Sequence, residues 1–195
     1  MNNGFFDINK AADCLSSSFI NYPVFVYLFP DITARRMKLK KVMTFLIKLA
    51  QRKGEVISFP NCEKCISIWY FPYNKSISFL DAVQAGIIQL IFTLGIKNFR
   101  RFVKLKKYRD DIRNGLLKDN KYYFLDMIGV NPDYQKRGLA SSLLDNKLKV
   151  LKYTGIKCYL ETSNKENIEF YNKYGFKLIN EYVYDGLPVY CLLTD

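Results

Sequence analysis

The chain has 195 residues, 49 % of them hydrophobic and 25 % charged, enough to bury a real core and ordinary for one globular domain. Thirty Lys and Arg face 18 Asp and Glu, a formal charge of +12 that favours anionic partners: nucleic acid, anionic membrane or phosphorylated cofactors. The absence of any His removes the commonest general base and leaves a zinc site short of ligands.

The N-terminal MNNGFFDINK has no basic segment leading into an apolar run, so it does not read as a signal peptide. Asn9–Ile20 reads as a short helix ended by Asn21-Tyr22-Pro23. A second helix covers Ile32–Lys53, with Met37, Val42, Phe45, Leu46 and Leu49 about a turn apart and Gly54 as its stop. Glu55–Phe59 and Cys65–Phe71 are β-branched and aromatic and form a hairpin-like pair around Pro60 to Lys64. The cysteines at 14, 62, 65, 158 and 191 are odd in number and irregularly spaced, so no disulfide framework is implied. Cys62 and Cys65 have metal-clip spacing but lack ligands to complete a site, and are read as the two ends of the hairpin turn; no metal is expected.

Ser78–Gly95 reads as helical, starting at Ser78 or Asp81. Phe99–Tyr108 continues as a basic amphipathic helix. The apolar stretch Ala82–Ile96 is interrupted by Gln84, Gln89 and Thr93 and is shorter than the roughly 20 residues that cross a bilayer. No membrane span is expected, and a soluble cytoplasmic protein is. The cations gather in Arg35–Lys53 and Lys97–Arg109, read first as solvated helix faces and second as a nucleic-acid or membrane surface.

From Tyr122 the pattern changes to strand (Tyr122–Val130), polar turn (Asn131–Gly138) and amphipathic helix (Leu139–Leu151). A strand (Ile156–Thr162), a short helix (Asn164–Tyr174) and a final hairpin (Phe176–Tyr184, Pro188–Leu193) follow. Gly155, Gly175 and Asp185-Gly186 punctuate these elements. A strand–loop–helix–strand unit of this length implies a parallel pair with a crossover helix, hence an α/β or α+β fold with a mixed sheet.

The turn Gln135-Lys136-Arg137-Gly138-Leu139-Ala140 follows a strand and opens a helix. Its N–H groups lack intrahelical partners, and with the helix dipole they make an anion site. Gly138 permits close backbone approach. The segment is neither a P-loop nor a Rossmann fingerprint, since neither glycine pattern is present.

Val130-Asn131-Pro132-Asp133-Tyr134-Gln135-Lys136-Arg137-Gly138-Leu139-Ala140 resembles the acetyl-CoA signature of the GNAT N-acetyltransferase superfamily, V-x-P-x-(Y/F)-(Q/R)-x-x-G-x-(G/A). About thirty residues on, Leu160-Glu161-Thr162-Ser163-Asn164 through Phe170-Tyr171 to Gly175-Phe176 resembles L-E-T-S-N-x-x-N-x-x-F-Y-x-x-x-G-F. Two motifs in the right order and spacing cover Tyr122–Asp195. Trp69-Tyr70-Phe71-Pro72 is similar to a W-x-x-P segment of one subgroup. The resemblance implies the GNAT fold: a mixed, mostly antiparallel central sheet with a parallel pair at the CoA site, flanked by helices. It implies one domain, with 1–120 on the acceptor side, a helical insertion at about 79–120, and 121–195 as the acetyl-CoA core.

It also implies residue roles. The amides of Gln135, Lys136, Arg137, Gly138, Leu139, Ala140 and Ser141 would cradle the pyrophosphate of acetyl-CoA. Ile128, Gly129 and Val130 would meet the pantetheine arm, with a bulge near Ile128–Gly129 polarising the thioester carbonyl. Asn164 and Asn167 would contact the same arm, Asn164 doubling as a helix cap. Tyr171 would protonate the leaving thiolate; a phenol with a pKa near 10 holds its proton at neutral pH. Glu161, Asp126 or a water chain would act as base. The expected reaction is acetylation of a primary amine on a small molecule or peptide by a monomer or homodimer. The alternatives are a non-catalytic CoA-binding protein and a basic-surface nucleic-acid or membrane binder.

Overall fold

In the computed structural model, which describes residues 6–59, 62–72, 77–118 and 121–194, helix α1 (Ile8–Ser18) begins at Asp7. The Asp7 carboxylate accepts from the N–H of Asn9 (2.8 Å) and Lys10 (3.2 Å), which the helix leaves unpaired. The sequence marked Asn21-Tyr22-Pro23 as a helix end. It is also a start: Pro23 takes the first position of α2 (Pro23–Leu28), where a missing N–H costs nothing. Helix α3 (Ile32–Lys53) matches the expected span, capped by Asp31 through the Ala34 N–H (2.7 Å). It buries Leu39, Val42, Phe45 and Leu49 and leaves Met37 exposed. Its basic face is not wholly solvated, because Arg35 is buried with Nη2 on the Pro30 carbonyl (3.3 Å).

Strands β1 (Gly54–Phe59) and β2 (Cys62–Tyr70) pair antiparallel, with Phe59 opposite Cys62. Cys62 and Cys65 therefore lie along one strand, not at the two ends of a turn; Pro60 and Asn61 fall outside the described residues. Among the described residues no group of three or more Cys, Asp or Glu is arranged to hold a metal ion.

The helix expected over Ser78–Gly95 is two helices. Ser78 and Asp81 form a reciprocal capping box that starts α4 (Phe79–Ala85), and Gly86, at φ +99°, turns the chain by 93° into α5 (Ile87–Leu117). Gly95, at φ +72°, interrupts α5 again. The end of the inserted segment, Asp119-Asn120, lies outside the described residues. Among the described residues no single helix is long and apolar enough to cross a membrane; α4 and α5 meet that test only as a bent pair.

Strand β3 (Tyr122–Val130), helix α6 (Leu139–Lys152), strand β4 (Lys157–Thr162), helix α7 (Glu166–Asn172) and strands β5 (Phe176–Tyr184) and β6 (Leu187–Thr194) complete the chain. The described strands form one sheet ordered β1-β2-β3-β4-β6-β5, with β3 and β4 parallel and every other pair antiparallel. Alternation sends its side chains to opposite faces of the sheet. Ile66, Ile68 and Met127 pack with α1 and α3, whereas Trp69, Leu125 and Leu160 pack with α6 and Tyr171 of α7.

Candidate active site

The ladder between β3 and β4 joins Tyr122–Leu125 to Lys157–Leu160 and stops there. Beyond it β3 runs on to Val130 and β4 to Thr162 without pairing with each other, so the centre of the sheet parts into a cleft. At the same level β3 carries an irregularity against β2. Ile68 faces Met127 and Trp69 faces Leu125, which makes Asp126 the extra residue. The bulge was expected near Ile128–Gly129; it lies nearer the start of the strand because α1 clamps the far end in register. A Cβ on Gly129 would stand 2.9 Å from side-chain atoms of Leu15, Ser18 and Phe19. Ser18 Oγ accepts the Val130 N–H at 3.1 Å. Of the three β3 residues expected at the cofactor, Ile128 lines the main cavity, whereas Gly129 is buried under α1 and the Val130 amide is engaged by Ser18.

That cavity is about 690 Å³, walled by Phe19 and Tyr22 between α1 and α2, by Phe25 and Phe45 from α2 and α3 and by Phe99 and Phe102 from α5, with Ile128, Thr162, Asn167 and Tyr171 at the cleft. Tyr171 projects from α7 and packs edge-on against Phe170 (5.2 Å) and Phe176 (5.7 Å). Burial, with Tyr22 and Cys158 nearby, raises its pKa, so the phenol keeps its proton well past neutral pH.

Thr162 is the hub of the polar network. Its Oγ1 accepts from Asn167 Nδ2 (3.1 Å) and the Asn164 N–H (3.2 Å) and shares a hydrogen bond with the Tyr22 hydroxyl (3.1 Å). The Ser163 N–H donates to the Tyr22 oxygen at 2.7 Å. Asn164 Oδ1 accepts the Glu166 N–H at 3.2 Å, the turn that starts α7. Tyr22 was invisible to sequence reasoning, since nothing local ties the start of α2 to a strand end so far along the chain.

Charged groups form the cavity's other wall. Arg109 Nε lies 2.5 Å from Glu161 Oε2, and the Tyr159 hydroxyl donates to Glu161 Oε1 at 3.1 Å. The Glu161 side chain is 1 % exposed and that of Arg109 22 %. The bulge residue Asp126 faces the same cavity. Burial raises its pKa; Arg109, Arg113 and Lys106 pull it back, and Glu161 adds to the rise. Arg109 had been read as part of a solvated basic run. Its spacing from buried Leu105 and Ile112, four residues after one and three before the other, is the signal that places it on the inner face.

The loop 131–141 lies outside the cavity's lining. Asn131 Oδ1 accepts the Asp133 N–H (3.0 Å), Gln135 Nε2 donates to the Val130 carbonyl (3.2 Å), and Arg137 Nη2 donates to the Asp133 carbonyl (3.0 Å). These side chains brace the backbone. Lys136 is held at φ +60° and Gly138 at φ +76°, with open space where a Cβ on Gly138 would point. The Ser142 N–H to Gly138 carbonyl bond (2.9 Å) is the first of α6. The amides of Leu139, Ala140 and Ser141 ahead of it are helix-terminal donors that the helix does not use. A strained, exposed turn at the positive end of a 14-residue helix fits a diphosphate.

Residues 102–178 match the family model for the acetyltransferase (GNAT) domain. An uncharacterized N-acetyltransferase of Schizosaccharomyces pombe is 27 % identical over 177 residues, covering 87 % of this chain and 70 % of that protein. A Corynebacterium glutamicum structure described as histone acetyltransferase HPA2 and related acetyltransferase aligns with a TM-score of 0.63 at 16 % identity. That alignment covers 96 % of this chain and 90 % of that one, a likeness of fold.

Proposed function

We propose that the chain, an acyltransferase whose residues 102–178 match the GNAT acetyltransferase domain, moves the acetyl group of acetyl-CoA directly to a primary amine, with Tyr171 as the general acid. The observation that carries this reading is that Ile128 and Tyr171 line one cavity at the point where β3 and β4 part. Acetyl-CoA, when bound, supplies the thioester and the thiolate that leaves.

The chain's own residues do the rest. Helix-terminal amides after Gly138 hold the anionic diphosphate, and the Ile128 backbone meets the arm that enters the cleft. Asn164 and Asn167 fix the Thr162 corner, and Tyr171 keeps a phenolic proton beside the leaving group. Asp126, brought into the cavity by the bulge, takes a proton from the substrate ammonium, directly or through water, and so frees the neutral amine to attack. Glu161 acts as a positioning residue, because its oxygens are held by Arg109 and Tyr159. The two stretches 1–120 and 121–195 act as one domain in this reading, since β2 and β3 are neighbours in one sheet. The aromatic cavity wall favours an acceptor that carries its amine on an apolar or aromatic body over a polycation.

Calorimetric titration of acetyl-CoA into the wild type and Gly138→Glu tests the donor site. Tight binding lost in the variant supports it; absence of binding to the wild type rejects the reading. Turnover of a screened amine panel by Tyr171→Phe then tests the acid.

A further inference from the structure

The inserted helices carry large apolar side chains into water. Phe79 is 82 % and Phe92 83 % exposed, and Leu80, Ile88 and Ile96 are exposed with them. The pattern is periodic. Ile88 and Phe92 are one turn apart ahead of Gly95, with Ile96 just after it, whereas Leu90 and Leu94, out of phase with Ile88 and Phe92, are buried. α5 therefore has an inner apolar face that meets the core and an outer apolar face that meets nothing within the described residues.

Past the break at Gly95 the outer face becomes basic. Lys97, Arg100, Lys104 and Lys107 are exposed at spacings of three, four and three, a single stripe with no acidic residue between its ends. The remaining cations of this stretch turn aside: Arg101 sits 4.1 Å from the Tyr27 ring and Lys106 bonds Asp110 at 2.5 Å. Past the break Ile96, Arg100, Val103 and Lys107 lie in phase, so exposed apolar and basic side chains share one side of this half of the helix.

We propose that α4 and the first half of α5 form a docking surface for an anionic lipid bilayer. Phe79, Leu80, Ile88, Phe92 and Ile96 enter the boundary between headgroups and acyl chains, and Lys97, Arg100, Lys104 and Lys107 meet the lipid phosphates. Charge selects this occupant. A second copy of a chain with formal charge +12 would set one basic stripe against another. A nucleic acid would satisfy the cations and leave two nearly bare phenylalanines in water. The 93° turn at Gly86 suits two short helices lying in the plane of a surface, not a span through it.

The test is co-sedimentation of the full chain with phosphatidylcholine vesicles made with and without phosphatidylserine. Binding is expected to the anionic vesicles alone and to weaken as salt rises. Phe79→Ser/Phe92→Ser should weaken it by at least about tenfold, and Lys97→Gln/Lys104→Gln by about fivefold for each charge removed. These side chains are exposed, so each variant should unfold at the wild-type temperature, which is measured alongside. No sedimentation with anionic vesicles overturns the proposal. So does wild-type binding by the phenylalanine variant, which would leave only charge adsorption, or tighter binding to a duplex oligonucleotide than to the vesicles.

Discussion

Arg109 on α5 reaches Glu161 on β4 at 2.5 Å, so the inserted helix is tied to the sheet one residue past the last β3–β4 pair. The Glu161 carboxylate has no exit to water and depends on this cation. Arg109→Leu strands a buried charge and is expected to cost about 3 kcal/mol. Arg109→Leu/Glu161→Leu should recover a large part of that loss. Urea denaturation of the single and double variants measures both, and equal losses in the two would contradict the pairing.

As the proposed base, Asp126 would pull stability and catalysis in opposite directions. Folding raises its pKa, so the native state binds this proton more tightly than the unfolded chain does. The stabilising effect of protonation is complete below the ordinary Asp value and is lost as pH climbs through the raised folded value. Asp126→Asn should therefore make the protein more stable near neutral pH and little changed in acid, while lowering kcat. The acidic limb of its pH–rate profile, displaced above the ordinary carboxylate range in the wild type, should vanish. Unchanged turnover across pH would assign the base elsewhere.

Tyr171→Phe removes a proton and leaves the ring packing against Phe170 and Phe176 in place. A fall in kcat of about 10²–10⁴ with unchanged acetyl-CoA affinity is expected. Because burial raises the phenol's pKa, wild-type activity should show no basic limb at the ordinary tyrosine value. Loss of affinity with kcat intact would make Tyr171 a packing residue.

Gly129→Ala places a methyl 2.9 Å from Leu15, Ser18 and Phe19. Helix α1 has to move off β3, and a loss of about 1–3 kcal/mol is expected. Hydrogen exchange should locate the weakening in α1 and at the Val130 amide that Ser18 accepts.

Tyr22→Phe deletes the acceptor of the Ser163 N–H and a neighbour of Thr162. Leaving that buried amide unpaired should cost about 1–3 kcal/mol. If Asn164 and Asn167 depend on the same corner, acetyl-CoA affinity falls as well, measured by the same calorimetry.

The second half of the chain was legible because its boundaries are chemical and local. Gly155, Gly175 and Gly186 all sit at positive φ, and the elements they separate match the expected spans within a few residues. The parallel β3–β4 pair followed from a strand, helix and strand in sequence. What escaped depends on contacts between distant segments. Gly86 looked like one more residue in an apolar helix until its φ of +99° turned the chain. The bulge is at Asp126 because α1 presses on Gly129, a packing constraint that β3 alone does not encode. Tyr22 and Arg109 also entered the site through distant contacts, Tyr22 from the turn ahead of α2 and Arg109 from a run read as a solvated basic face.

Tyr70 and Phe124 are opposite one another in the β2–β3 ladder, yet α4 and α5 come between them in the chain. The excursion leaves the sheet and returns almost to the point of departure, so β2 and β3 could be joined by a turn without altering their register. Loop closure penalises such an insertion only slowly with length. The part beyond Arg109 is anchored on the sheet, with Ile112 and Leu117 packed near Tyr159, whereas Ala85, Leu90 and Leu94, around Gly86 and Gly95, pack into the core that α1 and α3 share. A scaffold built this way can exchange the helices over its central cavity while the paired strands beneath stay as they are.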